Sequence, residues 1–270
     1  MVFTITVVQS DVQPTIDDTL DTIAQMIRSS KKSDLYLLPE CFSTGFDSEL
    51  TKIAHKNNGE QVTTWMKTIA AETNSALVGS IFVEDNGKYF NRMFFVDKSG
   101  IVGKYDKVHL FKMMDIESCL TAGKEKVIVE WRGVRFLLSI CFDIKFPVFL
   151  RNTKLEYDVI LNASNTGDFF NHTIPLLAGG RACENMCYCV ISNRVGKDKL
   201  MNTYLGNSAA SNYWATQLIT PSALPECLTF TINLDEKNKV IQKFPIQKDF
   251  DRFTLESPYK EVFYKKEVEE

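Results

Sequence analysis

Three residues combine a reactive side chain with a place at the end of a strand-like stretch. Glu40 follows Leu35-Tyr36-Leu37-Leu38-Pro39. A carboxylate directly after a buried strand is partly desolvated, which makes a usable general base. Lys107 stands in Gly103-Lys104-Tyr105-Asp106-Lys107-Val108-His109-Leu110-Phe111, among aromatic and apolar neighbours, whereas Lys104 reads as exposed. A buried ammonium stabilises developing negative charge and favours a nearby thiolate. Cys141 ends the apolar run Phe136-Leu137-Leu138-Ser139-Ile140, at a strand-to-helix turn where backbone N–H groups are unpaired. A base, a cation and a sulfur are the parts of nucleophilic catalysis. Taken singly, each has a plainer alternative: an exposed turn carboxylate, a solvated lysine and a buried structural cysteine.

The elements that must position these groups follow from periodicity. Phe3–Gln9 alternates as a strand, and Leu35–Leu38 is a short continuous strand ending at Pro39. Ile16, Leu20, Ile23, Met26 and Ile27 recur at helical spacing after Pro14, and Val62, Trp65, Met66, Ile69 and Ala70 mark a second amphipathic helix. Ala76–Val83 and Tyr89–Val96 are strands around the hairpin turn Asp85-Asn86-Gly87, and Asp97–Gly100 turns into a strand through Tyr105. Val127–Trp131 and Val134–Ile140 flank Arg132-Gly133 as another hairpin. Val159–Ala163 and Tyr188–Ser192 read as buried strands, with a helix over Ile174–Asn185 between them. Ala215–Ile219 and Leu228–Asn233 complete the strands. Residues 251–270, rich in charge, read as an exposed tail or a subunit-exchange arm. The expectation is an α/β protein with mixed sheets covered by helices. No linker or repeat divides it, so residues 1–270 read as a single domain. No G-x-G-x-x-G follows the first strand, and Gly179-Gly180 lies inside a helix pattern, which argues against a dinucleotide fold.

Composition narrows the partners. The chain has 270 residues, 44% apolar and 24% charged, which excludes a small disulfide scaffold and a disordered segment. A net charge of −3 gives no electrostatic footprint for nucleic acid. No apolar run approaches the ~20 residues of a membrane span. Met1–Gln9 lacks a basic region and a small-residue cleavage site. Seven scattered cysteines suit a reducing cytosol, which makes the sequons at Asn162 and Asn171 chance matches. Small molecules and further copies of the chain are the expected partners. Cys183, Cys187 and Cys189 lack a fourth ligand for a metal, so none is expected. A Ser-His-Asp site would need His55, His109 or His172, and none adjoins a G-x-S-x-G turn.

Leu38-Pro39-Glu40 with Cys41-Phe42-Ser43-Thr44-Gly45-Phe46, then Tyr105-Asp106-Lys107-Val108-His109-Leu110-Phe111, then Ile140-Cys141-Phe142-Asp143-Ile144-Lys145-Phe146-Pro147 resemble the three signature segments of the nitrilase, or carbon–nitrogen hydrolase, superfamily. They occur in the family's order, at ordinary intervals of 67 and 34 residues. Arg181-Ala182-Cys183-Glu184-Asn185, Ser192-Asn193-Arg194-Val195-Gly196 and Gly206-Asn207-Ser208 are similar to further family elements. The resemblance reaches to about Asn233 and is greatest with the omega-amidase branch. It implies a four-layer αββα sandwich that dimerises through helices and needs no metal or organic cofactor. The helix of Arg181 and Glu184 then serves as scaffold or interface. The resemblance further implies that Glu40 takes the Cys141 proton and that sulfur attacks an amide carbonyl. Lys107 and the Phe142 N–H hold the oxyanion, ammonia departs, and Glu40 activates water to cleave a thioester. The implied substrate is a dicarboxylic monoamide such as alpha-ketoglutaramate.

Two features depart from the family pattern. Many members carry a second glutamate between the lysine and the cysteine. Glu117 is the nearest glutamate, but it lies six residues before Gly123 where seven are expected, with Ile116 in the matching register and Asp115 nearby. The loop Asn162-Ala163-Ser164-Asn165-Thr166-Gly167 has Thr166 and Gly167 where related amidases often have an aromatic residue and a proline. This loop is expected to wall the acyl pocket, with Asn165 and Thr166 touching substrate. A substrate carboxylate calls for a cation, and Lys145 and Arg151 are candidates, with surface charge as the alternative for each. N-carbamoyl hydrolysis, nitrile hydrolysis, acyl transfer and a non-catalytic binding scaffold remain competing functions.

Overall fold

The computed structural model describes residues 1–46, 49–111, 118–199, 201–251, 253 and 259–266; Glu117, with Asp115 and Ile116, lies outside the described residues. Strands β1 (Val2–Gln9), β2 (Leu35–Leu37), β3 (Ala76–Asp85), β4 (Lys88–Asp97) and β5 (Gly100–Asp106) come first. They are followed by β6 (Glu125–Trp131), β7 (Val134–Ile140), β8 (Val159–Ser164), β9 (Tyr188–Asn193) and β10 (Val195–Lys197). The last four are β11 (Thr203–Leu205), β12 (Ala209–Ser211), β13 (Glu226–Asn233) and β14 (Lys260–Lys265). One six-stranded sheet has the order β13-β1-β2-β3-β4-β5, with β1, β2 and β3 parallel and the remaining pairs antiparallel. The second has the order β12-β9-β8-β7-β6-β14, with β7, β8 and β9 parallel. β10 and β11 pair as a separate ribbon.

Alternation along the strands assigns their faces. Phe3, Ile5 and Val7 of β1, Leu35 and Leu37 of β2, and Met93 and Phe95 of β4 share a buried cluster with Val127, Val129 and Phe136 of the second sheet. Their neighbours Tyr36, Leu77, Phe94 and Val96 point the other way. These pack with Leu20, Ile23 and Ile27 of helix α1 (Ile16–Ser29) and with Val62, Met66 and Ile69 of helix α2 (Glu60–Thr73). Helix α3 (Thr173–Asn185) and helix α4 (Leu234–Lys243) add Ile174, Ala178, Ala182 and Leu234 to the cluster of the second sheet. The layers are therefore helix, sheet, sheet, helix: the αββα sandwich. Because β2 is buried on both faces, its sequence is a continuous apolar run rather than an alternating one.

Local chemistry sets several boundaries. The Thr15 side chain accepts the Asp18 N–H to start α1. Asn86 and Gly87 adopt φ of 52° and 73°, as do Arg132 and Gly133 at 48° and 73°, the left-handed pairs that tight hairpins require. Gly179 is tolerated inside α3 because Ala215 presses on it: a Cβ there would meet the Ala215 methyl at 3.3 Å.

Three expectations are corrected and one element is added. Ala215–Ile219 is not a strand. The Asn212 side chain accepts the N–H groups of both Trp214 and Thr216, and Ala215 has a φ of 59°, so the chain turns there; Gln217 makes only an isolated bridge to Ser211. Residues 251–270 are not simply a tail, because β14 adds to β6 in parallel, with Val262 and Tyr264 packed on the core. Helix α4 was not expected, although Asn233 caps it by accepting from the N–H groups of Asp235 and Glu236. The segment after Cys141 is a single 3-10 turn, Cys141–Lys145, rather than a longer helix.

Candidate active site

The groups singled out in the sequence meet where strands of both sheets end. Glu40 follows β2, Lys107 follows β5 and Cys141 follows β7, and all three line one cavity of about 230 Å³. Lys107 Nζ donates to Glu40 Oε1 at 2.8 Å, and each residue is only 1% exposed. Asn91 Nδ2, from β4, donates to the same oxygen at 2.8 Å. The Lys107 backbone N–H is held by the Asn91 carbonyl at 2.9 Å, so one strand residue positions both charged groups. The Glu40 N–H donates to the Ser164 carbonyl at 3.2 Å, which joins the first sheet to the end of β8.

Cys141 sits at φ 43°, a left-handed conformation that turns its side chain off the strand end. Asp143, fully buried, fixes this turn. Its carboxylate accepts the Ile140 N–H at 2.9 Å, the Tyr105 hydroxyl at 2.6 Å, and His109 through its backbone N–H at 2.9 Å and ring Nδ1 at 2.7 Å. The lysine segment and the cysteine segment are thereby tied to one carboxylate. The His109 ring stacks on Phe146 at 3.7 Å, and Arg181 Nε donates to the Ile144 carbonyl at 2.8 Å, so the α3 arginine acts as scaffold. The cysteine sulfur lies 3.6 Å from Thr166 Oγ1 and 3.7 Å from Ser164 Oγ.

Burial pushes the Cys141 thiol up to about 12. The Glu40 charge pushes in the same direction, while Lys107, the Asn165 backbone N–H and the Thr166 hydroxyl oppose it. The lysine acts in the expected direction but does not prevail, so Cys141 rests as a thiol at neutral pH. The Glu40 carboxyl lines the same cavity.

Phe142, Lys145, Asn165 and Thr166, singled out in the sequence, line the cavity wall. The Phe142 ring meets Phe111 and Phe146 edge-on at 5.0 and 5.2 Å. Exposed Lys145 places Nζ 4.3 Å over the Phe170 ring. Asn165 is 8% exposed, and neither of its side-chain polar atoms has a protein partner. Arg151 is corrected: its guanidinium binds the Glu184 carbonyl and lies 4.1 Å over Phe250, outside the cavity wall. Asn91, Asp143 and Tyr204 had been assigned no role. Asn91 stands beside Arg92 in β4, and its neighbours in the chain do not set it apart. Tyr204 donates to Asp198 at 2.9 Å, and burial with the Asp198 charge pushes its hydroxyl far up, so it remains a donor.

A larger cleft of about 1350 Å³ adjoins this one at Phe46 and Asp198. Two of its cations are committed to neighbours, Lys56 to Glu84 at 3.0 Å and Arg194 to Asp11 at 2.9 Å, and no cysteine lines it. Convergent chemistry, rather than size, marks the smaller cavity. Among the described residues, no three His, Cys, Asp or Glu side chains gather as metal ligands would, and no helix is long and apolar enough to cross a membrane.

The carbon-nitrogen hydrolase family matches this chain over residues 3–242. The chain is 34% identical over 223 residues to Omega-amidase YafV of Escherichia coli strain K12, covering 82% of this chain and 86% of that one. It is 31% identical over 227 residues to the 2-oxoglutaramate amidase of Bacillus subtilis, covering 82% and 86%. Among solved structures, a CN-hydrolase superfamily protein of Xanthomonas campestris with an arsenic adduct in its active site superposes with a TM-score of 0.89. That match has 29% identity over 94% of this chain and 99% of that one. Saccharomyces cerevisiae Nit3 shares the fold with a TM-score of 0.83 at 20% identity, covering 92% and 97%.

Proposed function

Because the chain belongs to the carbon–nitrogen hydrolase family and is an amidohydrolase, we propose that it acts as an omega-amidase, cleaving dicarboxylic monoamides such as alpha-ketoglutaramate through a thioester on Cys141. The observation that carries this reading is the shared cavity of Cys141, Glu40 and Lys107, with the last two bonded at 2.8 Å.

Glu40 accepts the Sγ–H proton as sulfur bonds to the amide carbon, so the thiolate exists only as it is consumed. The carbonyl electrons move to oxygen, where the Lys107 ammonium and the Phe142 N–H hold the charge; the first N–H groups of a helical turn have no partner within it. Glu40 then protonates the nitrogen, the C–N bond breaks and ammonia leaves. A water that loses its proton to Glu40 attacks the thioester, and sulfur departs with the C–S electron pair. Glu117 is assigned as the second carboxylate, orienting that water. Lys145 receives the distal carboxylate of the substrate, while Asn165 and Thr166 wall the acyl chain.

The whole chain, 1–270, is read as one catalytic unit that works in the cytoplasm as a homodimer. Seven cysteines without framework spacing support a reducing compartment. Exposed Leu176 on α3, together with exposed Trp214 packed on exposed Phe244, supports a covered helical face.

Ammonia release measured across monoamides, N-carbamoyl acids and nitriles tests the reading. Turnover of dicarboxylic monoamides that disappears in Cys141→Ala is expected, with Lys145→Ala raising KM about tenfold for these substrates and not for neutral amides. Activity only on carbamoyl acids or nitriles, or undiminished turnover by Cys141→Ala, overturns it.

A further inference from the structure

Two hydroxyls bear on the sulfur as a pair. Thr166 Oγ1 and Ser164 Oγ lie 3.6 and 3.7 Å from Cys141 Sγ and 2.7 Å from each other. Each hydroxyl has one proton to give. One proton closes the oxygen–oxygen bond, and the other is left to point at sulfur, whichever residue carries it. Sulfur therefore meets the end of a two-hydroxyl chain, in which each bond polarises the next.

The pair is rigidly mounted. The Thr166 N–H donates to Asn193 Oδ1 at 2.8 Å, and Asn193 Nδ2 returns a bond to the Thr166 carbonyl at 3.0 Å. The Asn193 N–H is itself held by Ser208 Oγ at 2.9 Å. Ser164 is the last residue of β8, and its carbonyl accepts the Glu40 N–H. The hydroxyls thus have a fixed station against the nucleophile without being needed for these backbone bonds.

Resting on the reading of Cys141 as nucleophile, we propose that Ser164 and Thr166 form a catalytic hydroxyl couple that stabilises the sulfur anion as it forms and as it leaves. Lys107 divides its attraction between sulfur and the Glu40 oxygen it is bonded to. A cation strengthened further to help sulfur would also hold the base more tightly and weaken its pull on the thiol proton. A neutral couple aimed at sulfur avoids that conflict. In the first half-reaction the Sγ–H proton passes to Glu40, the sulfur pair forms the S–C bond and the carbonyl π pair moves to oxygen. In the second, the C–S bond breaks and sulfur takes the pair. The hydroxyls keep their own protons throughout and donate only hydrogen bonds.

Thr166→Val removes one hydroxyl at nearly constant shape, Thr166→Ser restores it, and Ser164→Ala breaks the chain. The readouts are the rate of iodoacetamide alkylation at Cys141 at a fixed pH of about 8, followed by mass spectrometry, and steady-state ammonia release. Thr166→Val is expected to lower the alkylation rate and kcat each about tenfold, with KM little changed. Thr166→Ser should recover both values, and Ser164→Ala should lower both by less. A Thr166→Val alkylation rate identical to that of the unaltered protein, or a folded Thr166→Ser that recovers neither value, overturns the proposal. If Thr166→Val is misfolded by circular dichroism, Ser164→Ala carries the test, and an unchanged rate there is equally fatal. Turnover surviving in Cys141→Ala defeats the parent reading instead, so the two failures are distinguishable.

Discussion

Among the described residues, two lysine–carboxylate pairs are buried, and they have different surroundings. Lys107 and Glu40 stand at the carbonyl ends of their strands beside the reactive cavity. Lys237 of α4 and Asp158 lie at the opposite end of β8, about 20 Å away by the length of that strand. Asp158 also accepts from Arg135 of β7, at Nε and Nη2, both 2.9 Å. Lys237 is as buried as Lys107, at 1% exposure. Burial and pairing alone therefore do not make a functional site. What differs is the neighbour: the Glu40 pair faces a cavity that contains a thiol, while the Asp158 pair fastens a helix to the starts of β7 and β8, in the middle of the sheet.

That contrast is broken or sharpened by removing charges one at a time. The largest effect is expected from Glu40→Gln, which keeps the shape but cannot take a proton; kcat should fall by roughly 10²–10⁴-fold, measured as ammonia release by folded protein. A loss under about tenfold would remove Glu40 from the proton-transfer role. Next in size is Lys237→Met. Stranding a buried charge costs about 3–5 kcal/mol, and because Arg135 still binds Asp158 the low end is expected, read from urea unfolding. Turnover per folded molecule should not change, and a large drop would mean that the two ends of β8 are not separable. The smallest effect concerns acid. Burial pushes Asp158 up, but the bond from Arg135 and the Lys237 ammonium more than reverse this, leaving it below its ordinary value. A carboxyl lowered in the folded state contributes stability that is present above about pH 4 and lost as pH falls through the folded value. Asp158→Asn should flatten that acid limb in melting curves taken from neutral pH downwards, and an unchanged slope would show that the pair contributes nothing to it.

The parts of this molecule that were legible in sequence are those whose signals are local. Leu35–Leu38 reads as a buried strand because four apolar residues stand together, and Asn86-Gly87 reads as a hairpin because both positions take positive φ. Glu40, Lys107 and Cys141 stand out in sequence as polar or nucleophilic residues at the ends of strand-like stretches. Contacts made across the fold were not legible. Nothing beside Asn91 in the chain says that its amide will reach a carboxylate 51 residues earlier. Nothing near Asp143 says that it will gather the loop at His109. Arg151 has the charge a substrate carboxylate calls for, yet its guanidinium is taken by the end of α3. Ala215–Ile219 has strand composition, but one asparagine side chain bends it. β14 was obscured by its Lys and Glu residues, the usual dress of an edge strand.

The backbone bond from Glu40 to Ser164 has a mechanical consequence. It is a strut spanning the seam of the sandwich, with Glu40 at one foot and a hydroxyl beside the Cys141 sulfur at the other. Any breathing that parts the sheets at this end must stretch the strut before it separates that carboxyl from that sulfur. The spacing of the two groups and the intactness of one backbone hydrogen bond therefore rise and fall together.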